Sequence, residues 1–286
     1  MTRLHVLLAL SVGASIAPRQ SIAQKPAAPT HTVIGPGLHL LANANGTLLI
    51  RVGPKESFVA GAQRPELVAA ARALLTSLHA PAVRFAVALA ATDAVRDGDG
   101  GWGSSGAVTF AHEGLRGAIA TAPTAPLPTV GFSEVVQIQL SGDEAHVVHQ
   151  PAGYSSSDAI VHLEREGVLM MGGDYTSNGY PEVFLRAGGT LNGMIQTVDT
   201  FVKNFGSTRM QFVPIRGPAT NGAALREYHD MLVAIRDRVA RLVAAGGTEQ
   251  SVVAAKPTAA FDAKWGHGPV SGDQFAAAAF HSLSGR

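Results

Sequence analysis

The order of periodic segments is the feature that most constrains the fold of this chain, because a similar order occurs in both halves. Short apolar runs typical of β-strands come first, and an amphipathic helix follows. The first half has strand-like runs over 38–41, 47–52 and 57–60, then a helix that begins at Pro65 and a buried strand over 83–89. The second half has runs over 135–140, 145–149, 158–163 and 168–171, then helices over 191–205 and 223–245. Two such halves predict an α+β fold, an αββα sandwich of two mixed β-sheets with helices on the outer faces.

Composition places the chain among globular proteins with one large core. Of its 286 residues 46% are hydrophobic, which is enough for a single domain that we expect over residues 31–286. Lys and Arg together number 22 against 21 for Asp and Glu, so the charge balance gives no footprint for nucleic acid. The chain has no cysteine, which excludes disulfides and thiolate metal sites.

The first residues have the pattern of a secretory signal peptide. Arg3 supplies a positive start, an apolar stretch runs from Leu4 to about Ala17, and residues 21–23 (Ser-Ile-Ala) form a small-x-small cleavage site. The apolar stretch is too short to span a bilayer comfortably, which disfavours a membrane anchor. We therefore expect a signal peptide over 1–23, a linker over 24–30, and a periplasmic or secreted protein with no membrane span in its mature chain.

The loop over residues 90–101, whose sequence is AATDAVRDGDGG, resembles the N-T-H-x-H-x-D-H-x-G-G loop of metallo-β-lactamase-fold hydrolases. Later segments resemble the same family in the same order. Residues 168–181 look like a strand with the following G-D-x-x-x-N-G-x-x-P region, 188–193 like the family's helix entry, and 214–218 like its P-G-H-G-P. The tail is similar to an exported branch of these metallohydrolases. The resemblance covers roughly residues 31–283 and implies the metallo-β-lactamase-like fold, in which zinc activates a bound water.

The positions that this resemblance assigns to the family's zinc ligands carry residues of mostly the wrong chemical type. They are Asp93, Val95, Asp97, Gly98, Tyr154, Asp174 and Arg216. Only Asp97 and Asp174 match the family's ligands, and no imidazole remains, whereas zinc takes about four ligands with nitrogen or sulfur prominent. Val95 and Gly98 offer no ligand atom, and Arg216 cannot deprotonate. We therefore expect a degenerate site without zinc or another cofactor, and we assign no catalytic residue.

Two functions are compatible with a degenerate site. The first is that of a pseudoenzyme, a non-catalytic protein of the cell envelope with a binding or structural role and an unknown partner. The alternative is a residual or altered metal-dependent hydrolase acting on an ester, lactam or phosphoester. In that alternative a metal is held by Asp93, Asp97, Asp99 and Asp174, with Tyr154 and Arg216 stabilising an oxyanion.

Arg216 carries a separate prediction, because it is the only one of these positions at which a permanent cation replaces a family histidine. A buried carboxylate that has lost its zinc needs another positive partner, and a guanidinium can serve one or two carboxylates. We therefore predict that Arg216 pairs with Asp97, Asp174 or both.

Two other patterns favour ordinary structural roles. His146, His149 and His162 match no metal-binding spacing along the chain, which predicts surface or edge residues. His112 is a lone histidine, a pattern that gives little indication of function. Residues 101–106 satisfy G-x-G-x-x-G, but a strand follows them where a dinucleotide site needs a helix.

Overall fold

The computed structural model describes residues 28–90, 101–120 and 127–285, in which strands and helices follow the predicted order. The strands are β1 (Thr30–Gly35), β2 (Leu38–Asn43), β3 (Gly46–Val52), β4 (Ser57–Gly61), β5 (Val83–Val87), β6 (Val108–His112), β7 (Val130–Phe132), β8 (Val135–Leu140), β9 (Asp143–His149), β10 (Ala159–Leu163), β11 (Val168–Met170) and β12 (Gln211–Val213). The helices are α1 (Pro65–Ser77), α2 (Glu113–Ala120), α3 (Leu191–Phe205), α4 (Gly222–Ala244), α5 (Glu249–Ala254), α6 (Asp262–Trp265) and α7 (Gly272–Ser284). Short 3-10 turns lie at Gly103–Ser105, Gly172–Asp174 and Leu185–Ala187.

Both sheets are mixed. The first has the order β1-β2-β3-β4-β5-β6-β7, antiparallel from β1 to β4 and parallel from β4 to β7. The second has the order β12-β11-β10-β9-β8, antiparallel except for the parallel pair β11–β12. Parallel neighbours need a crossover connection, and α1 and α3 lie in two of these crossovers.

Alternating side chains along the strands build the layers of the sandwich. In β3, Leu49 faces the core between the two sheets, while Leu48 and Ile50 face the other way and pack with Leu67 of α1. In β11, Leu169 faces outward and belongs to the core that includes α3 and α4. Strands buried on both faces explain why their sequences are almost continuously apolar. This arrangement confirms the predicted αββα sandwich of two mixed β-sheets.

The structure refines several element boundaries. Helix α3 spans Leu191–Phe205, as predicted, and Thr190 caps it by accepting a hydrogen bond from the amide of Gly193. The predicted turn over 141–144 is too long, because Gly142 adopts a φ of +90° and β9 already begins at Asp143. The sequence analysis did not predict the two strands β1 and β7 at all; most of β1 is exposed and polar, and β7 has only 3 residues.

Among the helices of residues 28–90, 101–120 and 127–285, none is long and apolar enough to cross a bilayer.

Candidate functional site

The candidate site lies at the rim of the sandwich where the loops after β9, β11 and β12 converge. Tyr154 lies in the loop between β9 and β10, Asp174 ends the 3-10 turn after β11, and Arg216 follows β12. The backbone amide of Tyr154 donates to Asp174 Oδ1 at 2.9 Å, and Thr176 forms a β-bridge with Arg216. The structure therefore brings the loops of all three positions together at one rim.

The other predicted site positions lie outside the described residues. Asp93, Val95, Asp97, Gly98 and also Asp99 fall in the segment 91–100, which is not part of the description. Their roles remain predictions. The chain enters this segment from Leu89 and Ala90, and the carbonyl of Leu89 accepts a hydrogen bond from the amide of Ala159 at 2.8 Å. The end of β5 is thus fixed to the start of β10, beside the rim.

Asp174 is fully buried, with an exposed fraction of 0%. Its Oδ1 accepts the Tyr154 amide hydrogen bond, and its Oδ2 has no hydrogen-bond partner among the residues that the structure describes. Burial raises the pKa of Asp174 well above its ordinary value, and the neighbouring carboxylate of Asp158 raises it further. Both effects oppose ionisation of this carboxyl group.

Asp158 lies in the same buried environment but has more hydrogen-bond donors. Its Oδ2 accepts from the Ser155 amide at 2.7 Å, its Oδ1 accepts from the Ser155 hydroxyl at 2.6 Å, and the Gly153 backbone also donates to it. Burial raises the pKa of Asp158 to about 6, although these donors oppose the shift by stabilising the charged form. Asp158 is thus the more acidic member of the pair.

The two carboxyl groups titrate together as one unit. Two adjacent buried carboxylates repel each other, so the pair retains a proton that an isolated aspartate would lose. The donors surrounding Asp158 favour its ionised form, and the proton is then best placed on Asp174 Oδ2, the oxygen that accepts no hydrogen bond. Asp174 is therefore one half of a buried carboxyl pair that joins the two loops.

Two glycines allow these loops to approach so closely. A Cβ atom at Gly153 would collide with Asp174 Oδ1, and one at Gly173 would collide with the ring of Tyr154. Any larger residue at either position would push the β9–β10 loop away from the turn after β11. The tight contact between the Tyr154 amide and the Asp174 carboxyl depends on both glycines.

Tyr154 contributes mainly to packing. Its side chain is 5% exposed, and its ring lies 6.0 Å from that of Phe184, centroid to centroid. The carbonyl of Tyr154 also accepts a hydrogen bond from the Phe184 amide at 2.9 Å. A tyrosine in these surroundings fills the space beside Asp174 with an aromatic ring.

The predicted ion pair between Arg216 and Asp174 is wrong. The guanidinium of Arg216 lies 3.7 Å from the carboxylate of Glu182, and its Nε donates to the Ala44 carbonyl at 3.3 Å. The physical reason is position: Asp174 is fully buried against the loop that holds Tyr154, whereas Arg216 is partly exposed and turned toward Glu182 and Ala44. The pairing of Arg216 with Asp97 stays a prediction.

The described residues at this rim do not fit a zinc ion. Zinc prefers several deprotonated ligands rich in nitrogen, whereas this rim offers one carboxyl group that favours its proton, one packed phenol ring and one cation. Within the described ranges, the group of side chains suited to a metal ion is Glu144, His146 and Glu164, which lies elsewhere.

A groove opens beside Arg216 at the same rim. Its volume is about 290 Å³, and its lining is about half polar and half apolar, contributed mainly by the loop after β11, by the segment before α7 and by α7 itself. The lining residues are Pro181, Glu182, Val183, Arg216, Pro269, Val270, Gln274 and Ala278. A groove of this size and polarity suits part of a small organic molecule.

Sequence reasoning missed the role of Asp158, which it treated only as the start of a strand. The signal that could have found it is the spacing Ser155-x-x-Asp158, typical of a side chain that closes a local turn by hydrogen bonding to the backbone. One histidine predicted at the surface or a strand edge, His149, is partly buried against another. The rings of His112 and His149 stack with their centroids 4.0 Å apart. Burial lowers the pKa of His112, and the neighbouring His149 lowers it further. His149 Nδ1 also lies 2.9 Å from the Asp158 carbonyl oxygen, which places this pair beside the Asp158 loop.

Several solved structures share this architecture. The alkylsulfatase Pisa1 from Pseudomonas sp. is 14% identical with a TM-score of 0.68, and the match covers 88% of this chain and 50% of that one. The metallo-beta-lactamase from Pontibacter korlensis is 16% identical with a TM-score of 0.60, over 72% of this chain and 99% of that one. The metallo-beta-lactamase FIM-1 from Pseudomonas aeruginosa, solved in its mono-zinc form, is 17% identical with a TM-score of 0.61, over 73% and 96%.

This chain spans about half the length of the alkylsulfatase but nearly the full length of the two lactamases. No protein-family model matches it, and neither does any curated protein. At identities this low, structural likeness establishes the architecture and leaves the activity open. The chain has the metallo-β-lactamase fold.

Proposed function

We propose that this chain is a non-catalytic, zinc-independent binding protein built on the metallo-β-lactamase fold and exported to the cell envelope. The observation that carries the proposal is the state of Asp174. Its carboxyl group is fully buried, hydrogen bonded to the loop that holds Tyr154, and coupled to Asp158 in a pair that favours a shared proton. With these contacts, the carboxyl group of Asp174 holds two loops of the rim together.

The proposed loss of zinc chemistry is supported by the residues near Asp174. Zinc hydrolases of this kind need a metal-bound water whose pKa falls toward neutrality. Arg216 places a permanent positive charge at a position where the family resemblance expects a zinc ligand, and cations repel. No imidazole side chain stands at Tyr154, Asp174 or Arg216. The two replacements, Tyr154 and Arg216, support binding in place of catalysis.

The groove beside Arg216 supports the binding role. Its apolar wall includes Val183 and Val270, and the Arg216 guanidinium lies at its edge with 21% of its side chain exposed. The Arg216–Glu182 contact of 3.7 Å is long for an ion pair and leaves guanidinium donors available to an incoming anion. A small organic anion with an apolar body, such as a carboxylate, has the matching chemistry.

Export rests on the first 23 residues alone, which lie outside the described part of the chain. Their charged start, short apolar stretch and small-residue cleavage site support it. Intact-mass analysis of the protein from its native host should find a mature chain that begins near Gln24. A mass that retains Met1 to Ala23 would contradict export.

An altered metal-dependent hydrolase is the second candidate. The observation that favours it is Asp174 Oδ2, because a buried oxygen without a hydrogen-bond partner among the described residues is also what a metal ligand would present. The aspartates of the segment 91–100 would then complete the site. The two candidates differ in what a neutral replacement of Asp174 does to activity.

The deciding experiment compares the wild-type protein with Asp174→Asn, a replacement of the same size that retains the acceptor for the Tyr154 amide. Both proteins are assayed with and without added zinc against a chromogenic cephalosporin, a nitrophenyl ester, a nitrophenyl phosphodiester and an alkyl sulfate. We expect no zinc-dependent turnover in either protein. Zinc-dependent turnover in the wild type that disappears in Asp174→Asn would overturn the proposal and support the altered hydrolase.

A ligand screen tests the binding role. Small aromatic and aliphatic carboxylates and sulfonates are scanned by thermal shift against the wild type and against Arg216→Ala, since a ligand that binds only the folded state raises the melting temperature. We expect at least one class of organic anion to stabilise the wild type and to lose its effect in Arg216→Ala. Stabilisation that is equal in both proteins would show that the groove beside Arg216 is not the site.

A further inference from the structure

Strands β9 and β10 bring two carboxylates and an imidazole together at the rim opposite Asp174. Glu144 and His146 are two residues apart in β9, so their side chains leave the same face of the sheet. Leu163 of β10 pairs with Ala145, which places Glu164, the next residue, beside Glu144. One ligand atom from each of Glu144, His146 and Glu164 lies within 4.8 Å of the other two.

This cluster is invisible along the chain and depends on the antiparallel register. Read in sequence, Glu144 and His146 are separated from Glu164 by about twenty residues. The pairing of His146 with His162 fixes the register that brings the two strands' polar side chains together. Along a single strand these histidines have no metal-binding spacing. The sequence therefore predicted His146 and His162 only as surface or edge residues.

The cluster contains two carboxylates and one imidazole, and Arg165 is the neighbouring cation that acts on Glu144. Glu144 and Glu164 are like charges on adjacent strands, an arrangement that destabilises a sheet unless something positive lies between them. His146 Nε2 lies 2.8 Å from Glu144 Oε1, and Gln139 Nε2 donates to Glu144 Oε2 at 2.9 Å, which orients the carboxylate. A hydrogen bond of this kind to a ligand carboxylate is common around metal ions.

A fourth residue lies directly behind the cluster. The ring of His162 is 6.1 Å from that of His146, and its Nε2 is buried without a hydrogen-bond partner in the described part of the chain. The ring of His162 also contacts Phe205 of α3, with centroids 5.3 Å apart. The site thus has an apolar, partly buried floor on one side, while a depression of about 650 Å³ next to Glu144 and Glu164 opens it to solvent on the other.

We propose that Glu144, His146 and Glu164 form a binding site for a divalent transition metal such as zinc, which clips the far ends of β9 and β10 together. One imidazole and two carboxylates supply three ligands, and water completes the coordination shell. The mixed nitrogen and oxygen donors favour zinc over calcium, which prefers oxygen ligands alone. The clip lies on the two strands whose opposite ends hold the Tyr154–Asp158 loop.

The test is a zinc titration of the untagged, metal-stripped full-length protein, monitored by competition with a chromogenic chelator and by thermal shift. We expect one saturable zinc per chain and a rise in melting temperature. His146→Ala and Glu164→Gln should each weaken zinc binding by about tenfold or more, because each removes a ligand. If zinc binding is absent, or is equal in His146→Ala and the wild type, the proposal is wrong.

Two controls separate this site from others. His281 is another histidine whose Nε2 contacts a carboxylate, that of Glu249 at 3.0 Å, and among the described residues it does not belong to the group suited to a metal ion. His281→Ala should therefore leave zinc binding unchanged. Asp174→Asn should leave it unchanged as well. If zinc binding is lost in Asp174→Asn and retained in His146→Ala, both the proposed site on β9 and β10 and the zinc-independent function are wrong. If zinc binding is lost in His146→Ala alone, the site on β9 and β10 is supported and the zinc-independent function still holds.

Discussion

Two pairs of acidic residues lie at opposite ends of β10 and behave in opposite ways. Asp158, immediately before the strand, is coupled to Asp174 in a buried pair, and burial raises the pKa of both. Glu164, immediately after the strand, adjoins Glu144, whose pKa is lowered by its hydrogen bond to His146 and then by that to Gln139. Burial makes the Asp158–Asp174 pair favour a proton, whereas at the other end of the strand the hydrogen bond to His146 favours the charged form of Glu144.

Removing the more hydrogen-bonded member of the buried pair should have the largest effect. Asp158→Ala leaves the amide and hydroxyl of Ser155 buried without their acceptor, and Ser155 is 0% exposed. We expect a loss of about 3 kcal/mol in the free energy of unfolding, measured by urea denaturation. Glu144→Ala, at the other end of β10, should leave that free energy unchanged. Equal effects of the two replacements would mean that the pairs do not differ in the way described.

The dependence of stability on pH should separate the pairs more finely. The pKa of the Asp158–Asp174 pair is higher in the folded state than in the unfolded state. The pair therefore stabilises the fold at pH values below the ordinary aspartate pKa. This stability is lost as pH rises through the folded-state pKa, which is about 6 for Asp158. Asp174→Asn removes this titration. The free energy of unfolding of Asp174→Asn minus that of the wild type should therefore be about 1 to 3 kcal/mol higher at pH 8 than at pH 5.

Urea denaturation of both proteins at the two pH values measures this difference, and histidines that titrate in the same range cancel between them. Glu144→Gln serves as the control, since a carboxylate with a lowered pKa is already ionised throughout that range. A difference between wild type and Asp174→Asn that is the same at pH 5 and pH 8 would show that the buried pair does not share a proton.

The smallest effect is expected at Arg216, in comparison with Arg51 at the opposite rim. Arg216 is partly exposed and lies 3.7 Å from Glu182, so Arg216→Ala should cost less than about 1 kcal/mol. Arg51 is 7% exposed at its side chain and lies 2.6 Å from Glu166, so Arg51→Ala should cost about 3 kcal/mol. Urea denaturation ranks the two, and a larger loss at Arg216 would indicate a buried partner that the described residues do not include.

Much of the fold could be predicted from the sequence because its segments are strongly periodic. The apolar spacing of Leu191–Phe205 and the alternation in Val135–Leu140 identify those elements with their observed bounds. Strand β1 could not be found this way, since its Thr-His-Thr sequence lies exposed at a sheet edge, where burial imposes no pattern. The family resemblance supplied the architecture, which local periodicity alone would have left unordered.

The candidate site was harder to predict, for reasons of pairing. The sequence could indicate that Asp174 had lost imidazole neighbours, but it could not show that Asp158 would become its partner, because that contact depends on how two loops fold against each other. For the same reason the sequence could not show that Arg216 lies beside Glu182 and not beside Asp174, while its pairing with Asp97 stays a prediction. Charge complementarity identifies which residues need a partner, whereas backbone geometry decides which partner each one reaches.

The contacts of Arg51 also bear on how this molecule can move. Arg51 of β3 reaches across to Glu166 and donates to the Ser141 carbonyl, while Glu56 accepts from the amide and hydroxyl of Ser141 at 2.6 and 2.7 Å. These bonds fasten the first sheet to both turns of the second at the rim far from Asp174. At the Asp174 rim the amide of Ala159 and the guanidinium of Arg216 also donate to carbonyls of the first half, those of Leu89 and Ala44. Hydrogen bonds therefore join the two sheets at both rims, and we expect the sandwich to resist opening as a whole.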